Sequence, residues 1–187
     1  MNWIPTARAL CALLSTAALA ACGPSEQPRV AADAPPIDAC ALMPEAEAIQ
    51  LAGEDLDPVT TALDHRVHHE IAKCSYANLG GAPFRMISLE VRRYPTAELA
   101  RGAQERTVKF LRRIEGEDGQ EIAGLGESAF WGSRSQQLQA LTGDLRLIIT
   151  VQLGDPRFRG ESAREIAKKA MQRLTNPANP SDLVPAQ

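Results

Sequence analysis

The fold is decided by residues 145–153, LRLIITVQL, where large apolar side chains alternate with mostly polar ones. The residues on the apolar side are Leu145, Leu147, Ile149, Val151 and Leu153. A period of two is typical of a strand with one buried face. Gly143-Asp144 immediately before it predicts a two-residue hairpin turn. We therefore expect an antiparallel partner strand over 136–141, preceded by another strand over 128–132.

Two more strands are predicted nearer the N-terminus, at 69–78 and 84–94, joined by a turn over 80–83. The alternation of Ile87, Leu89 and Val91 with polar residues places one side of the second strand in the core. The intervening segment 53–67 carries no such pattern and is expected to be mostly loop. Hairpin-linked strands of this kind predict an antiparallel sheet of about five strands.

Three helices complete the prediction. A short helix is expected over 44–52, with Pro44 in its first turn and Gly53 just beyond its end. A long helix is expected over 96–114, and a last helix opens at the capping box Ser162-Ala-Arg-Glu165. The apolar stripe of this last helix consists of Ala163, Ile166, Ala167, Ala170, Met171 and Leu174. The apolar stripe predicted to bury the long helix consists of Leu99, Ala103, Phe110 and Ile114. The predicted fold is α+β, in the order α-β-β-α-β-β-β-α, with helices on one face of the sheet.

The N-terminal region predicts export. The apolar run 9–18 is too short to cross a bilayer, which takes roughly 20 helical residues. Leu19-Ala-Ala-Cys22 follows it and resembles the lipobox of bacterial lipoproteins. That resemblance implies cleavage before Cys22 and acylation of its thiol, which anchors the protein to a membrane through lipid chains. Gly23 at the next position resembles sorting to the periplasmic side of the outer membrane in cells that have two membranes.

Composition divides the rest of the chain. Residues 22–36 are rich in proline and predict a tether, and 175–187 have three prolines and predict a disordered tail. The signal peptide is 1–21, and 37–174 is expected to form a single domain. The formal net charge of −3 makes nucleic acid a poor candidate for a partner.

Cysteine usage agrees with export. Of four cysteines, Cys11 leaves with the signal peptide and Cys22 is lipidated, so Cys40 and Cys74 remain. Two thiols in an oxidising compartment predict one disulfide, which closes a loop of about 34 residues and stabilises the fold by roughly 3–4 kcal/mol. The alternative is a pair of free thiols.

Three short motifs resemble a known family. They are Cys40–Glu45 (CALMPE), Cys74-Ser-Tyr76 and Gly124–Ala129 (GLGESA). With the final amphipathic helix they resemble actinobacterial cell-wall lipoprotein domains of unknown function, which are related to extracellular sensor domains of membrane kinases. The resemblance covers roughly 38–174. It implies an α+β fold, a paired set of cysteines and a sensing or binding role without catalytic residues.

All three histidines lie within the segment 64–70, DHRVHHE. On a helical turn His65, His68 and His69 would share one face, and Asp64 or Glu70 could add an oxygen ligand for zinc or copper. On a strand, His68 and His69 would point to opposite faces and the site would fail. A solvated loop is the alternative, and no cofactor is otherwise expected.

Other candidate sites are weaker. Gly124-x-Gly-x-x-Ala129 resembles a dinucleotide fingerprint, but the residues that follow predict a strand instead of the required helix. Ser128 lacks the flanking glycine of a nucleophile elbow. Phe130, Trp131 and Phe158 either line an apolar pocket or fill the core. An enzyme is not expected.

The favoured hypothesis is therefore a non-catalytic module of the cell envelope that is held at the membrane by its lipid anchor. Its partner would be an envelope protein or a cell-wall component. A periplasmic metal-binding lipoprotein that uses the histidine cluster is the alternative.

Overall fold

The computed structural model describes residues 34–53, 56–66, 69–80, 83–153 and 156–176. The strands are β1 (Asp57–Arg66), β2 (His69–Ala77), β3 (Met86–Arg93), β4 (Gly119–Glu121), β5 (Ser128–Gly132), β6 (Gln137–Thr142) and β7 (Leu145–Gln152). The helices are α1 (Ala39–Leu42), α2 (Glu45–Ala52), α3 (Ala97–Glu115) and α4 (Pro156–Thr175), with a 3-10 turn at Gly116–Asp118. The strands form one antiparallel sheet in the order β1-β2-β3-β7-β6-β5-β4. The predicted α+β class is confirmed.

Strand β7 lies at the centre of the sheet, as its alternation predicted. It pairs with β3 on one side and with β6 on the other. Leu147, Ile149 and Val151 are fully buried, because each of these apolar side chains points to the face that α4 covers. Ile87 and Leu89 of β3 lie opposite Val151 and Ile149 and extend the same core.

The sheet has seven strands, so the predicted number of about five is wrong. Segment 57–66 was expected to be loop but forms β1, and the acidic segment after α3 supplies β4. Both are edge strands, which pair on one side only. Pro58 and the charged residues of β1 are tolerated there because an edge strand leaves one row of backbone groups unpaired. Its sequence therefore lacks the pattern of a central strand.

The prediction that the helices share one face is also wrong. Trp131 of β5 packs on α4, since a Cβ added at Gly160 would lie 3.3 Å from its ring. The adjacent Phe130 lines a groove with Val108 of α3. Neighbouring residues of a strand point to opposite faces, so α3 and α4 cover opposite faces of the sheet. Helix α1 lies on the α4 side, where its buried residues join the same core.

Helix α3 begins at Ala97 after an N-cap at Thr96, whose hydroxyl accepts a hydrogen bond from Leu99 N. Its buried face is not the predicted one. The buried residues are Ala100, Ala103, Gln104, Leu111 and Glu115, whereas Leu99, Phe110 and Ile114 are exposed. The sheet face beneath α3 carries polar side chains such as Gln139, and small or polar helix residues pack against it. Leu111 is the one large apolar residue on the buried face of α3, and Leu99, Phe110 and Ile114 lie on the flank of the helix.

The last helix is longer than predicted, because α4 begins at Pro156 and places Ser162 of the expected capping box inside the helix. Ala163, Ala167 and Ala170 are fully buried, as the apolar stripe predicted. At its C-terminal end Arg173 bonds to Leu42 O and pairs with Glu47 of α2. The C-terminal helix thereby holds the N-terminal helices.

The structure contains the predicted disulfide between Cys40 of α1 and Cys74 of β2, whose Cα atoms are 5.1 Å apart. Cys74 is buried in the core and pairs with Leu89 across the sheet. Tyr76, two residues along β2, donates its hydroxyl to Met43 O over 3.0 Å. Burial raises the pKa of Tyr76, with Glu45 and Asp38 adding to the effect. The short α1 segment is thus fixed to the sheet at two points.

Candidate functional site in the groove beside helix α3

An open groove of about 460 Å³ lies between α3 and the strands β4 and β5. Phe130 forms its floor and is only 2% exposed, while Val108 and Ile122 lie at its sides. The remaining lining residues are Gln104, Glu105, Arg112, Glu121, Ala123, Gly124, Gly126, Glu127, Ser128 and Ala129. Ligand pockets usually combine apolar and aromatic side chains with a small number of polar groups that orient the ligand.

The segment Gly124–Ala129 shapes one wall of this groove. Gly124 and Gly126 have φ angles of 72° and 64°, in the left-handed region that favours glycine. A side chain at Gly126 would also collide with the backbone, because its Cβ would lie 2.2 Å from Leu141 O. The glycines therefore turn the chain into β5, and the dinucleotide fingerprint fails because a strand follows it.

The rim carries charged pairs that fix its shape. Arg112 of α3 pairs with Glu121 of β4, and Arg101 pairs with Glu127 over 3.1 Å. A hydrogen bond from Gly143 N at 2.6 Å, followed by the contact with Arg101, lowers the pKa of Glu127 below its usual value. The carboxylate of Glu105 has no hydrogen-bond or ion-pair partner among the described residues. The groove lining therefore has more negative than positive charge.

A buried carboxylate that the sequence did not single out lies at the C-terminal end of α3. Glu115, the last residue of α3, is fully buried. Its oxygens accept hydrogen bonds from Arg134 N at 2.7 Å and Ser135 N at 2.9 Å, in the β5–β6 turn. Burial raises the pKa of Glu115, but hydrogen bonds from Ser135 and from the two backbone amides outweigh this and leave the pKa lowered. The ionised carboxylate ties α3 to the sheet.

A second polar group lies beneath α3. Arg146 of β7 is 5% exposed and donates to Gln139 Oε1 over 2.8 Å. Gln104 of α3 donates to Gln139 O over 3.4 Å. Burial lowers the pKa of Arg146, although Tyr94 opposes that shift. This cluster explains why α3 contacts the sheet through polar residues. The alternation in 145–153 predicts that Arg146 points away from the core, and only the position of α3 shows that it is buried.

A smaller cavity of about 310 Å³ lies where both ends of the described chain meet the domain. Its lining includes Pro35, Pro36 and Ile37 at the N-terminal side, and Arg173 and Leu174 at the end of α4. Arg173 is already occupied by Glu47 and Leu42 O. We therefore place the candidate binding site in the groove beside α3.

The predicted lipidation and metal sites lie wholly or partly outside the described residues. Cys22 and His68 are outside, and only the strand positions of His65 and His69 are described. His65 pairs with Glu70 across β1 and β2. Glu70, proposed as an added oxygen ligand, is buried and bonded to Ile37 N and Arg93. Within the described ranges, no group of three or more potential metal-ligating residues is found. The three-histidine site stays a prediction.

The three aromatic residues have different outcomes. Trp131 is 8% exposed and belongs to the core on the α4 side. Phe130 forms the floor of the groove, as one reading of the sequence predicted. The side chain of Phe158 lies outside the described part of the structure.

No family model, curated protein or solved structure matches this chain. The resemblance to envelope lipoprotein domains therefore rests on its short motifs alone. In the described part of the chain, none of the helices is both long enough and apolar enough to span a membrane.

Proposed function

We propose that this chain is a lipid-anchored, non-catalytic binding module of the bacterial cell envelope, and that its ligand binds in the groove beside α3. The observation that carries the proposal is the groove itself, in which an apolar floor at Phe130 lies beneath a rim fixed by ion pairs. The sequence of residues 1–22 supports the anchor, since a short apolar run, small residues and a cysteine occur together.

The arrangement of the sheet favours binding over hydrolysis. Ser128 and the glutamates of the rim lie at the β4–β5 end of the sheet, whereas His65 and His69 lie on β1 and β2 at the opposite end. Four strand spacings separate β2 from β5, which amounts to roughly 19 Å. Neither His65 nor His69 can act as general base for Ser128 over that distance.

The rim carboxylates also favour binding. Glu121 and Glu127 each face an arginine, and the pKa of Glu127 is lowered. A general acid that works near neutral pH needs a raised pKa instead. Ionised carboxylates that are held by arginines are suited to orienting a polar or cationic part of a ligand, while Phe130 and Val108 contact its apolar part.

The proposed tether matches this role. Twelve residue steps separate Cys22 from Ala34, the first described residue, so the linker reaches at most about 40 Å in an extended polyproline conformation. The domain would then sample the layer next to the membrane and meet an envelope protein or a cell-wall component there.

A photocrosslinking experiment in living bacteria tests the proposal. A benzophenone amino acid is placed at Ala123, an exposed residue of the groove, or at Leu79, which is 67% exposed and lies in the β2–β3 connection. We expect a discrete crosslinked product from position 123 only, and less of it when Val108→Asp puts a charge over the apolar floor. Equal crosslinking at both positions, or none at 123, would contradict the proposal.

A further inference from the structure

One flank of α3 exposes large apolar side chains. Leu99, Phe110 and Ile114 are 43%, 58% and 44% exposed. Leu99 and Phe110 are eleven residues, or about three helical turns, apart, so they lie on the same flank, and Ile114 lies one turn beyond Phe110. These three are half of the large exposed apolar residues in the described part of the chain.

Three cations accompany this apolar flank. Arg106, Lys109 and Arg113 are exposed, and their side chains have no hydrogen-bond or ion-pair partner among the described residues. By contrast, the arginines on the groove side of α3, Arg101 and Arg112, are both paired with glutamates. The free positive charge of the helix is therefore concentrated beside its exposed apolar residues, on a chain whose net charge is −3.

We infer that this flank, which we call the α3 basic flank, rests on a membrane surface that contains anionic lipids. Helices that lie in the membrane interface carry basic residues on their polar side and residues such as Phe, Leu or Ile on the other side. The cations meet lipid phosphates while the apolar side chains enter the boundary between headgroups and acyl chains. The inference rests on the proposed function, since the lipid anchor brings the domain to that surface.

Because the lipid anchor already holds the domain next to the membrane, weak binding of the α3 basic flank to lipid is sufficient to orient it. A flexible linker of this length holds a second binding site at an effective concentration in the millimolar range, so modest affinity for lipid orients the domain. A few apolar side chains with three cations would give only reversible binding without the anchor.

The resulting orientation keeps the groove accessible. On the helical wheel of α3, Val108 and Arg112 face the groove, whereas Phe110 and Leu99 lie roughly 140–180° around the axis. Contact of the α3 basic flank with the membrane therefore turns the groove away from the lipid and toward the interior of the envelope. Membrane contact and ligand binding are compatible in one molecule.

Vesicle sedimentation tests the inference with residues 22–187 carrying Cys22→Ser, which removes the acylation site. Vesicles of phosphatidylglycerol and phosphatidylcholine in equal parts are compared with pure phosphatidylcholine. We expect at least fivefold stronger binding to the anionic vesicles. Two double variants should each weaken binding to the anionic vesicles about tenfold. One combines Phe110→Ser with Ile114→Ser, and the other combines Arg106→Gln with Arg113→Gln. The matched control Leu79→Ser with Phe84→Ser also removes two exposed apolar residues and should have no effect.

Equal binding to both kinds of vesicle would overturn the inference, as would binding that the substitutions in α3 do not weaken. Binding of poly-glutamate that depends on Arg106 and Arg113, without binding to anionic vesicles, would also overturn it and would identify a protein-binding surface. Melting temperatures show whether each variant is folded. Mass spectrometry detects the acyl anchor independently, so failure of the vesicle assay is distinguished from failure of the proposed function.

Discussion

Glu70 and Arg93 form a largely buried ion pair across β2 and β3, with Oε2 and Nη1 3.0 Å apart. The second carboxylate oxygen of Glu70 accepts a hydrogen bond from Ile37 N at 3.0 Å, and the same Arg93 nitrogen donates to Pro35 O at 2.7 Å. The pair therefore fixes the start of the domain to the sheet. This contact defines where the proposed tether ends.

Removing one member of this pair should destabilise the domain. Glu70→Ala leaves a buried arginine and the Ile37 amide without their partner, and the free energy of unfolding should fall by about 3–5 kcal/mol. Urea denaturation measures the change. Glu165→Ala is the matched control, because its ion pair with Lys169 lies on an exposed helix surface and should contribute less than about 0.5 kcal/mol. Similar losses in the two variants would show that Glu70 does not hold the N-terminal segment.

The disulfide should contribute a comparable amount. Its cysteines are 34 residues apart, and the chain-entropy model gives roughly 3–4 kcal/mol for a loop of that size. Reduction should lower the melting temperature of the wild-type protein to that of a Cys40→Ser, Cys74→Ser variant. Thermal melts with and without a reductant measure this shift. The double variant serves as the control because the reductant should not change its melting temperature.

Acid should destabilise the domain through Glu115. The folded-state pKa of Glu115 lies below its ordinary value of 4.5. A group with a lowered pKa stabilises the fold above the ordinary value, and that contribution is lost as the pH falls through the folded pKa. Glu115→Gln should therefore lower stability near neutral pH by roughly 2–3 kcal/mol, since charge-assisted hydrogen bonds are lost.

The same variant should also flatten the dependence of stability on pH below about 4.5. Urea denaturation over a series of acidic buffers measures this slope. Some slope should persist, because the pKa of Glu127 is lowered as well. Glu117→Gln, in the exposed 3-10 turn, is the control and should retain the wild-type profile. An unchanged slope in Glu115→Gln would contradict the assigned role.

The packing of α3 can be tested with two adjacent residues. Leu111 is 5% exposed and Phe110 is 58% exposed. Leu111→Ala should cost about 2–4 kcal/mol of unfolding free energy, whereas Phe110→Ala should change it by less than about 0.5 kcal/mol. Chemical denaturation of both variants measures the difference. The opposite ranking would restore the helix face that the sequence pattern predicted.

Local sequence patterns predicted the elements whose burial is strongly periodic. In β7 the alternating Leu147, Ile149 and Val151 identified both the strand and its buried face, and the core helix α4 followed from its stripe of alanines. The disulfide followed from counting cysteines in a chain whose N-terminal residues predict export. These features depend on residues that are close in sequence or on the chemistry of the compartment.

Other features depend on contacts between distant segments. Strand β1 exists because it pairs with β2, and its own sequence contains Pro58 and few apolar residues. In α3 the sequence predicts burial of Leu99, Phe110 and Ile114, but the polar sheet face beneath the helix packs against Ala100 and Gln104 instead. The hydrogen bonds of Glu115 reach a turn 19 and 20 residues further on, so no local pattern indicated them.

Mass spectrometry of the full-length chain purified from bacterial membranes tests the central claim most directly. We predict that the mature polypeptide begins at Cys22 and carries diacylglycerol on its thiol, and that Cys22→Ser moves the protein to the aqueous fraction. A mature N-terminus at another residue, or a Cys22 free of acyl chains, would contradict a binding module that is held at the membrane by lipid.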